Sequence, residues 1–471
     1  LANALEHASE VRTRVIDATS VEHRHMLAQH LTPPEVATLA ASMFSESDGP
    51  IDLLDLGAGT GILTVAVAER YGNVLRRADA IELDDVLVRI YERDVRPLVG
   101  GETVCGDAIA AITYADPNLL SMYNRIILNP PYKKMAANDS RQGGLPTRSP
   151  NLYSAFIMLA VEHLADEGEV VAIVPRSWTN GEYFAPFRKW VLSHCSLDMM
   201  HVYGSRGEVF SDTDVLQETM LVRLSRRPQA PTILVSSSST KRDKADVTHF
   251  PAASLIVGND RVVRISPSET GGLSQTVASE GLCVSTGKVV DFRSRSYITI
   301  DKPRDVPSVP LVYVGNFPDG ALSHPLSTLG KGQWFKTTDD WARKQVLPPG
   351  SYVVVRRFSA KEEKRRVVAY PLVTDHELAL ENHSSYIHAG TSRHTVSLQS
   401  PELARGLAIW LDSTLIDNWF RGVSGSTQVN ARDIKAMPCP DLSELEALGR
   451  EWHPEMSQSE TDAACEELMR R

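Results

Sequence analysis

The chain has 471 residues, 42% apolar and 23% charged, with a formal net charge of -10. This is the profile of an ordinary globular protein, long enough for two domains with a core each. The opening LANALEHASEVRTR lacks an apolar h-region and a small-residue cleavage site, and no stretch approaches the ~18 apolar residues of a membrane span, so a cytoplasmic protein without a membrane partner is expected. Five scattered cysteines, never spaced CxxC, fit a reducing compartment and argue against a zinc site; no metal is expected.

In chain order, TPPEVATLAASMF (32–44) predicts a helix with Thr32 as N-cap and Pro33 at the first helical position. IDLLDLGAG (51–59) reads as a buried strand running into a glycine turn, and TGILTVAVAERY (60–71) as the helix after it. ADAIELD (78–84), ETVCGDA (102–108) and NRIILN (124–129) predict further strands, with a helix over DVLVRIYERDVRPL between the first two. A helix over 152–168, a strand over 168–175 and strands at SLDMMHVYG and ETMLVRLS follow. Strands alternating with helices imply a doubly wound, mostly parallel α/β sheet over residues 1–230, with ligands at the carboxyl ends of the strands.

The polar run SSSSTKRDKAD suggests a connector over 231–280. From 281 to 471 the alternation is lost, and a second, α+β domain is expected, with one helix over 401–420. The basic residues concentrate here: residues 281–440 carry 20 Lys and Arg against 15 Asp and Glu, whereas residues 1–280 carry 26 against 35. In RRFSAKEEKRR, Arg356, Arg357, Arg365 and Arg366 read either as a phosphate-contacting strip or as a solvated charged face. ENHSSYIH (381–388) has no assignment from its residues alone.

Three elements of the first domain can build a nucleotide-like pocket. In DLGAGTG, Asp55 ends the strand, and Gly57, Gly59 and Gly61 let a ligand approach bare backbone beside a helix N-terminus. The spacing is GxGxG rather than the dehydrogenase GxGxxG. Glu82 ends the next strand, where it can accept both hydroxyls of a ribose, and Asp107 ends the one after, where an adenine amino group needs an acceptor. Each alone is more often a solvated strand-end carboxylate; their succession after the glycine turn reverses that preference in favour of the pocket.

RIILNPPYKK (125–134) joins a buried strand to Asn129, Pro130, Pro131 and Tyr132, a cluster without an acid or a nucleophile. It suits an aromatic amine, whose lone pair is delocalised into its ring. If the Asn129 side-chain oxygen and the Pro130 carbonyl each accept one amino hydrogen, the nitrogen is biased toward tetrahedral geometry and becomes nucleophilic. Consecutive prolines stiffen the turn and remove N–H donors. Tyr132 can stack on the ring. Taken alone, the tetrapeptide also fits a rigid strand-to-loop turn.

The order TPPEVA, DLGAGTG, IELDD, CGDA and NPPY, followed by a long C-terminal region, resembles the S-adenosylmethionine-dependent DNA N6-adenine methyltransferases of the gamma arrangement, over roughly residues 25–225. The resemblance implies that Thr32, Asp55, Gly57 and Gly59 surround the methionine end of S-adenosylmethionine, Glu82 its ribose and Asp107 its adenine. Asn129 and Pro130 then hold the target amine, and Tyr132 stacks on the base. The segment 207–224 implies a second aromatic, Phe210, on the opposite face; an ordinary core aromatic is the other reading. Such chemistry requires an adenine flipped out of double-stranded DNA.

The same resemblance makes the second domain a target-recognition domain. RGVSGSTQVNARDIKAMPCP (421–440) then supplies Arg421, Ser426, Gln428 and Asn430 to DNA, or docks the domain, and Lys288 or Arg293 reaches DNA from VSTGKVVDFR. A monomer that modifies without cleaving is expected, with a cognate restriction endonuclease as a separate partner. The nearest rival is an RNA or protein-glutamine N-methyltransferase. A non-catalytic DNA-binding or cofactor-sensing scaffold is a further alternative, which intact Asn129, Pro130 and Tyr132 weigh against.

Overall fold

The computed structural model describes residues 3–20, 22–23, 29–110, 122–203, 218–240, 243, 245–270, 273–360 and 362–470. It divides the chain into two compact units, Leu1–Pro267 and Ser268–Arg471.

The first unit is built on β1 (Ile51–Leu56), β2 (Leu75–Glu82), β3 (Thr103–Cys105), β4 (Tyr123–Leu128), β5 (Leu164–Pro175), β6 (Ser196–Tyr203), β7 (Thr219–Ser225), β8 (Thr232–Ser238) and β9 (Asp246–Pro251). They form one sheet in the order β3-β2-β1-β4-β5-β7-β6-β8-β9. The strands from β3 to β5 run parallel, and β7 is inserted antiparallel to both β5 and β6. Both faces of the central strands are covered, as a parallel sheet requires.

Alternate residues serve opposite faces. Leu53, Ile127, Val171 and Ile173 pack with α2 (Pro34–Ser42) and α3 (Ile62–Tyr71), while Leu54, Ile126, Val170 and Ala172 pack with α5 (Leu152–Glu162) and α6 (Ala185–His194). Two further helices, α1 (Ala4–Ala18) and α4 (Asp85–Asp94), complete the layer around the first three strands.

Several boundaries differ from the sequence reading. Helix α2 starts one residue late: Pro33, with ψ 151°, takes the N-cap position, Pro34 is the first helical residue, and the Thr32 side chain makes no capping bond. Its hydroxyl is engaged elsewhere, as described below. The helix over 152–168 ends at Glu162, and β5 already begins at Leu164. The expected connector is no connector: β8 pairs with β6 and β9 with β8, so residues 232–251 extend the sheet. The serines of β8 are tolerated there because Ser236 and Ser238 hydrogen bond the buried His201, whose imidazole burial pushes down to about 4.

The second unit is α+β. A four-stranded sheet orders Cys283–Thr286, Ser384–His388, Gly350–Arg356 and Ala369–Thr374, and five short strands form a smaller sheet. ENHSSYIH thereby gains a role: Ser384–His388 is a wholly buried inner strand, with His388 Nε2 3.0 Å from Ser285 Oγ. The single helix expected over 401–420 is two, α7 (Pro401–Leu411) and α8 (Thr414–Val423), because Ser413 ends one turn and caps the next through Ile416 N–H. Helix α9 (Leu442–Gly449) crosses α7 at glycines: a Cβ on Gly406 would sit 1.7 Å from the Leu445 carbonyl oxygen, and one on Gly449 1.8 Å from that of Glu402. The two backbones touch directly.

Candidate active site

The carboxyl ends of β1, β2, β3 and β4 open into one cavity whose wall includes Thr32, Gly57, Gly59, Thr60, Glu82, Asp107, Asn129 and Pro131. The turn after β1 is pinned where β2 ends. The Gly57 and Ala58 N–H groups donate to the Ile81 carbonyl at 2.8 and 3.1 Å, and Gly57, Gly59 and Gly61 all take positive φ. A side chain at Gly61 would strike Tyr91 and Val95, so glycine there lets α3 pack on α4.

Glu82 is 8% exposed, and its two oxygens accept the Gly59 N–H (2.8 Å) and the Asp84 N–H (2.9 Å). Burial raises its pKa, and the backbone donors pull the other way. Asp107 accepts from the Ile109 and Ala110 N–H groups on one oxygen and from Arg141 (2.7 Å) on the other. Arg141 also grips Asp139 through two nitrogens, so its guanidinium ties the loop that follows the NPPY turn to the end of β3. In this respect the cavity fits a nucleoside: carboxylates stand at successive strand ends, and a buried Thr60 hydroxyl in the wall has no hydrogen-bond partner among the described residues.

Asp55 corrects the sequence reading. It is fully buried and absent from the cavity wall. One oxygen accepts from Thr64 Oγ1 at 2.7 Å, while burial, with Glu82 nearby, raises its pKa to about 7. It ties the end of β1 to helix α3.

At the end of β4, the Asn129 side-chain nitrogen donates to the His30 carbonyl (2.7 Å) and to Thr32 Oγ1 (3.0 Å). A carbonyl can only accept, so the atom facing His30 must be the amide nitrogen, and the orientation of the amide follows. Asn129 Oδ1 therefore faces the Tyr132 hydroxyl, 3.0 Å away, which also lies 3.1 Å from the Ile173 carbonyl. The Tyr132 ring packs against His30, with centroids 5.1 Å apart, and edge-on to Tyr153. Pro130 is buried and Pro131 lines the cavity. Phe210 lies outside the described residues.

Sequence reasoning missed Gln29, His30, Arg141 and Phe156, which also line the cavity. Phe156 was hidden in the apolar run of α5, and nothing in the sequence separates it from core. Arg141 had a signal, an arginine within reach of the strand-end carboxylate Asp107. Gln29 and His23 both meet Asp84, the N-cap of α4, at 2.8 and 3.2 Å.

In the second unit, two segments singled out separately are zipped together. The Ser359 N–H donates to Thr427 O, the Val429 N–H to Arg357 O, and Phe358 bridges to Gln428. The basic strip is largely internal. Arg366 is 1% exposed, its guanidinium bonded to Ser359 Oγ and Ser426 O and lying over the Phe420 ring. Arg365 covers the Asp412 and Ser413 carbonyls past the end of α7, and Arg421 pairs with Asp417 at 2.7 Å.

Arg365, Arg366 and Arg421 are therefore corrected from phosphate contacts to structural cations, because their guanidiniums are committed to the Asp412, Ser413 and Ser426 carbonyls, the Ser359 hydroxyl and the buried Asp417. Arg356 is committed to Glu363 and to the Arg365 carbonyl. Asn430 forms a capping box with Asp433. Lys288 is exposed and reaches the Lys344 carbonyl at 3.1 Å; Ser426 is exposed, and Arg357 and Gln428 are half-buried. Arg366→Met is expected to lower unfolding stability by about 2–4 kcal/mol, as removal of a buried hydrogen-bonded cation does. A denaturant titration checks this, and an unchanged midpoint would return Arg366 to the surface.

A mostly parallel sheet with β7 inserted antiparallel, a glycine turn after β1 and an acidic residue ending β2 together define a Rossmann-like methyltransferase fold, here with an added α+β unit. The chain is 33% identical to the Type II methyltransferase M.PstI of Providencia stuartii, over 91% of this chain and 90% of that protein. It is 32% identical to the Type II methyltransferase M.BsuBI of Bacillus subtilis, over 95% of each. Residues 113–210 match the family described as Eco57I restriction-modification methylase. The chain belongs to the restriction-modification DNA methyltransferases.

Among solved structures, the fold is like that of the Type IIL restriction-modification enzyme MmeI in complex with DNA (TM-score 0.58, 11% identity, 98% of this chain and 74% of that one). It is also like that of the DrdV–DNA complex (TM-score 0.54, 12% identity, 95% and 59%). No helix among the described residues is long and apolar enough to cross a membrane.

Proposed function

We propose that this enzyme methylates the N6 amine of an adenine flipped out of duplex DNA, at one short sequence, as the modification partner of a separate endonuclease. The observation that carries this reading is the Asn129 amide. Its nitrogen is tied back to His30 and Thr32 in the cavity wall, so its oxygen is left as an acceptor, facing the Tyr132 hydroxyl. Two acceptors and no base suit an aryl amine.

When bound, S-adenosylmethionine supplies an electrophilic methyl on its sulfonium. Glu82 takes the ribose hydroxyls and Asp107 the adenine amine, while Gly57, Gly59 and Thr32 line the methionine end. The incoming target amine replaces the Tyr132 hydroxyl at Asn129 Oδ1, and the Tyr132 ring stacks on the base. Held by these acceptors, the amine nitrogen would receive the methyl that the cofactor supplies, the N–C bond forming as the S–C bond breaks and leaves a thioether, and its surplus proton would pass to solvent. In the second unit, Lys288, Arg357, Ser426 and Gln428 are the sequence-predicted residues still offered to DNA.

Arg141→Ala is expected to weaken cofactor binding about threefold to tenfold, by freeing the loop that closes over Asp107. Equilibrium titration measures it, and an unchanged Kd sinks the latch. The function itself is tested by incubating unmethylated duplex DNA with labelled S-adenosylmethionine, digesting it to nucleosides and mapping the modified positions. N6-methyladenine confined to one short sequence is expected. Label in RNA or protein only would overturn the substrate, and label in another nucleoside would overturn the role of Asn129.

A further inference from the structure

Helix α1 precedes the sheet, yet one of its residues reaches toward the reacting group. Arg12 is 4% exposed, and its Nε and one terminal nitrogen donate to the Leu31 carbonyl at 3.0 and 2.9 Å. Leu31 lies between the two residues that hold the Asn129 amide, His30 through its carbonyl and Thr32 through its hydroxyl.

The local sequence keeps this segment straight. Thr32 precedes a proline and is confined to extended conformations, and Pro33 is itself extended at ψ 151°. The Leu31 carbonyl accepts from Arg12, and the carbonyl of its neighbour His30 accepts from Asn129. Thr32 cannot also serve as N-cap of α2, and it does not.

We propose that Arg12 is a positioning residue for methyl transfer: by fixing the Leu31 carbonyl it sets the His30–Thr32 clamp that holds the Asn129 amide with its oxygen toward the target amine. This rests on the function proposed above. Without the clamp the amide is free to turn over, and an Asn129 presenting its NH2 group repels an amine instead of accepting from it. Misplacing a reacting group by about 1 Å costs up to about a hundredfold in rate. Arg12 touches neither substrate nor cofactor, so its removal acts on the rate of transfer at saturation.

The test uses the full chain and an oligonucleotide duplex carrying the site mapped in the digest. Single-turnover transfer is measured at saturating S-adenosylmethionine and duplex, together with the cofactor Kd and Tm. Arg12→Met is expected to transfer at least about tenfold more slowly with a Kd within about threefold of the parent, and Arg12→Lys, which restores one donor, to fall between. Thr32→Val, which keeps the shape and removes one acceptor, is expected to slow the same step, and with Arg12→Lys it carries the test if Arg12→Met does not fold.

Parent-like rates at saturation in Arg12→Met and Thr32→Val would overturn the proposal while leaving the function intact. Rates that recover at higher cofactor concentration would make Arg12 a merely structural residue and overturn it as well. A parent enzyme that methylates no adenine in DNA would instead bring down the function, and this proposal with it.

Discussion

Asn129→Ala is expected to slow methyl transfer by about 10²–10³-fold, the scale on which loss of one preorganised hydrogen-bonding group costs a reaction. The alanine removes the side-chain oxygen proposed to accept from the target amine and frees the His30 carbonyl and the Thr32 hydroxyl that now accept from the amide. Cofactor affinity is expected to stay within about threefold, because Glu82 and Asp107 stand on other strands. Single-turnover transfer and a cofactor titration separate the two quantities. A variant that still methylates adenine at more than about a tenth of the parent rate would end the account in which acceptors activate the amine.

The second large effect concerns Glu82. Its carboxylate gathers the Gly59 and Asp84 N–H groups, so it shapes the glycine turn as well as facing the cavity. Each hydrogen bond to a charged group contributes about 1.5–3 kcal/mol. Glu82→Ala is therefore expected to weaken S-adenosylmethionine binding by about a hundredfold or more, and calorimetric titration reads it directly. A Kd within about threefold of the parent would remove Glu82 from the site.

The same residue predicts a pH dependence. Burial raises the Glu82 pKa above that of an ordinary carboxyl. The ionised form is the better acceptor for ribose hydroxyls, so cofactor affinity is expected to fall on acidification. The fall begins at a higher pH than the ordinary value of about 4.3 would give. An affinity independent of pH down to that value would contradict it.

What could be read from the chain was what local pattern determines. The run IDLLDLGAGTG carries its strand, its turn and its helix in contiguous residues, and Glu82 and Asp107 follow from where the next strands stop. Arg366 shows the other case. Whether an arginine faces phosphate or supports a loop depends on Ser359, Ser426 and Phe420, which tertiary folding alone brings to it. Arg12 was equally invisible, since its partner lies 19 residues away in a segment with no regular structure. The strands β8 and β9 escaped because serine-rich polar sequence reads as a connector unless a buried histidine on the neighbouring strand is known to need its hydroxyls.

Thr32 is a case where a local rule failed for a functional reason. A threonine before two prolines is a good N-cap by composition, and the helix begins one residue later because that hydroxyl is engaged with Asn129. The departure from simple capping marks the site, as departures from local consistency often do.

The glycine crossing of α7 and α9 bears on how such enzymes could exchange specificities. With backbone against backbone at Gly406 and Gly449, neither helix can gain even a methyl group without forcing the pair apart. The helical layer behind the four-stranded sheet is thus a fixed mount, and the Phe358–Gln428 ribbon is anchored on α8 through the buried Arg366, which bonds both of its strands and lies over Phe420. A crossover falling between the two glycines would have to bring a matching small residue from the same parent, so the inheritance of one glycine is bound to that of the other.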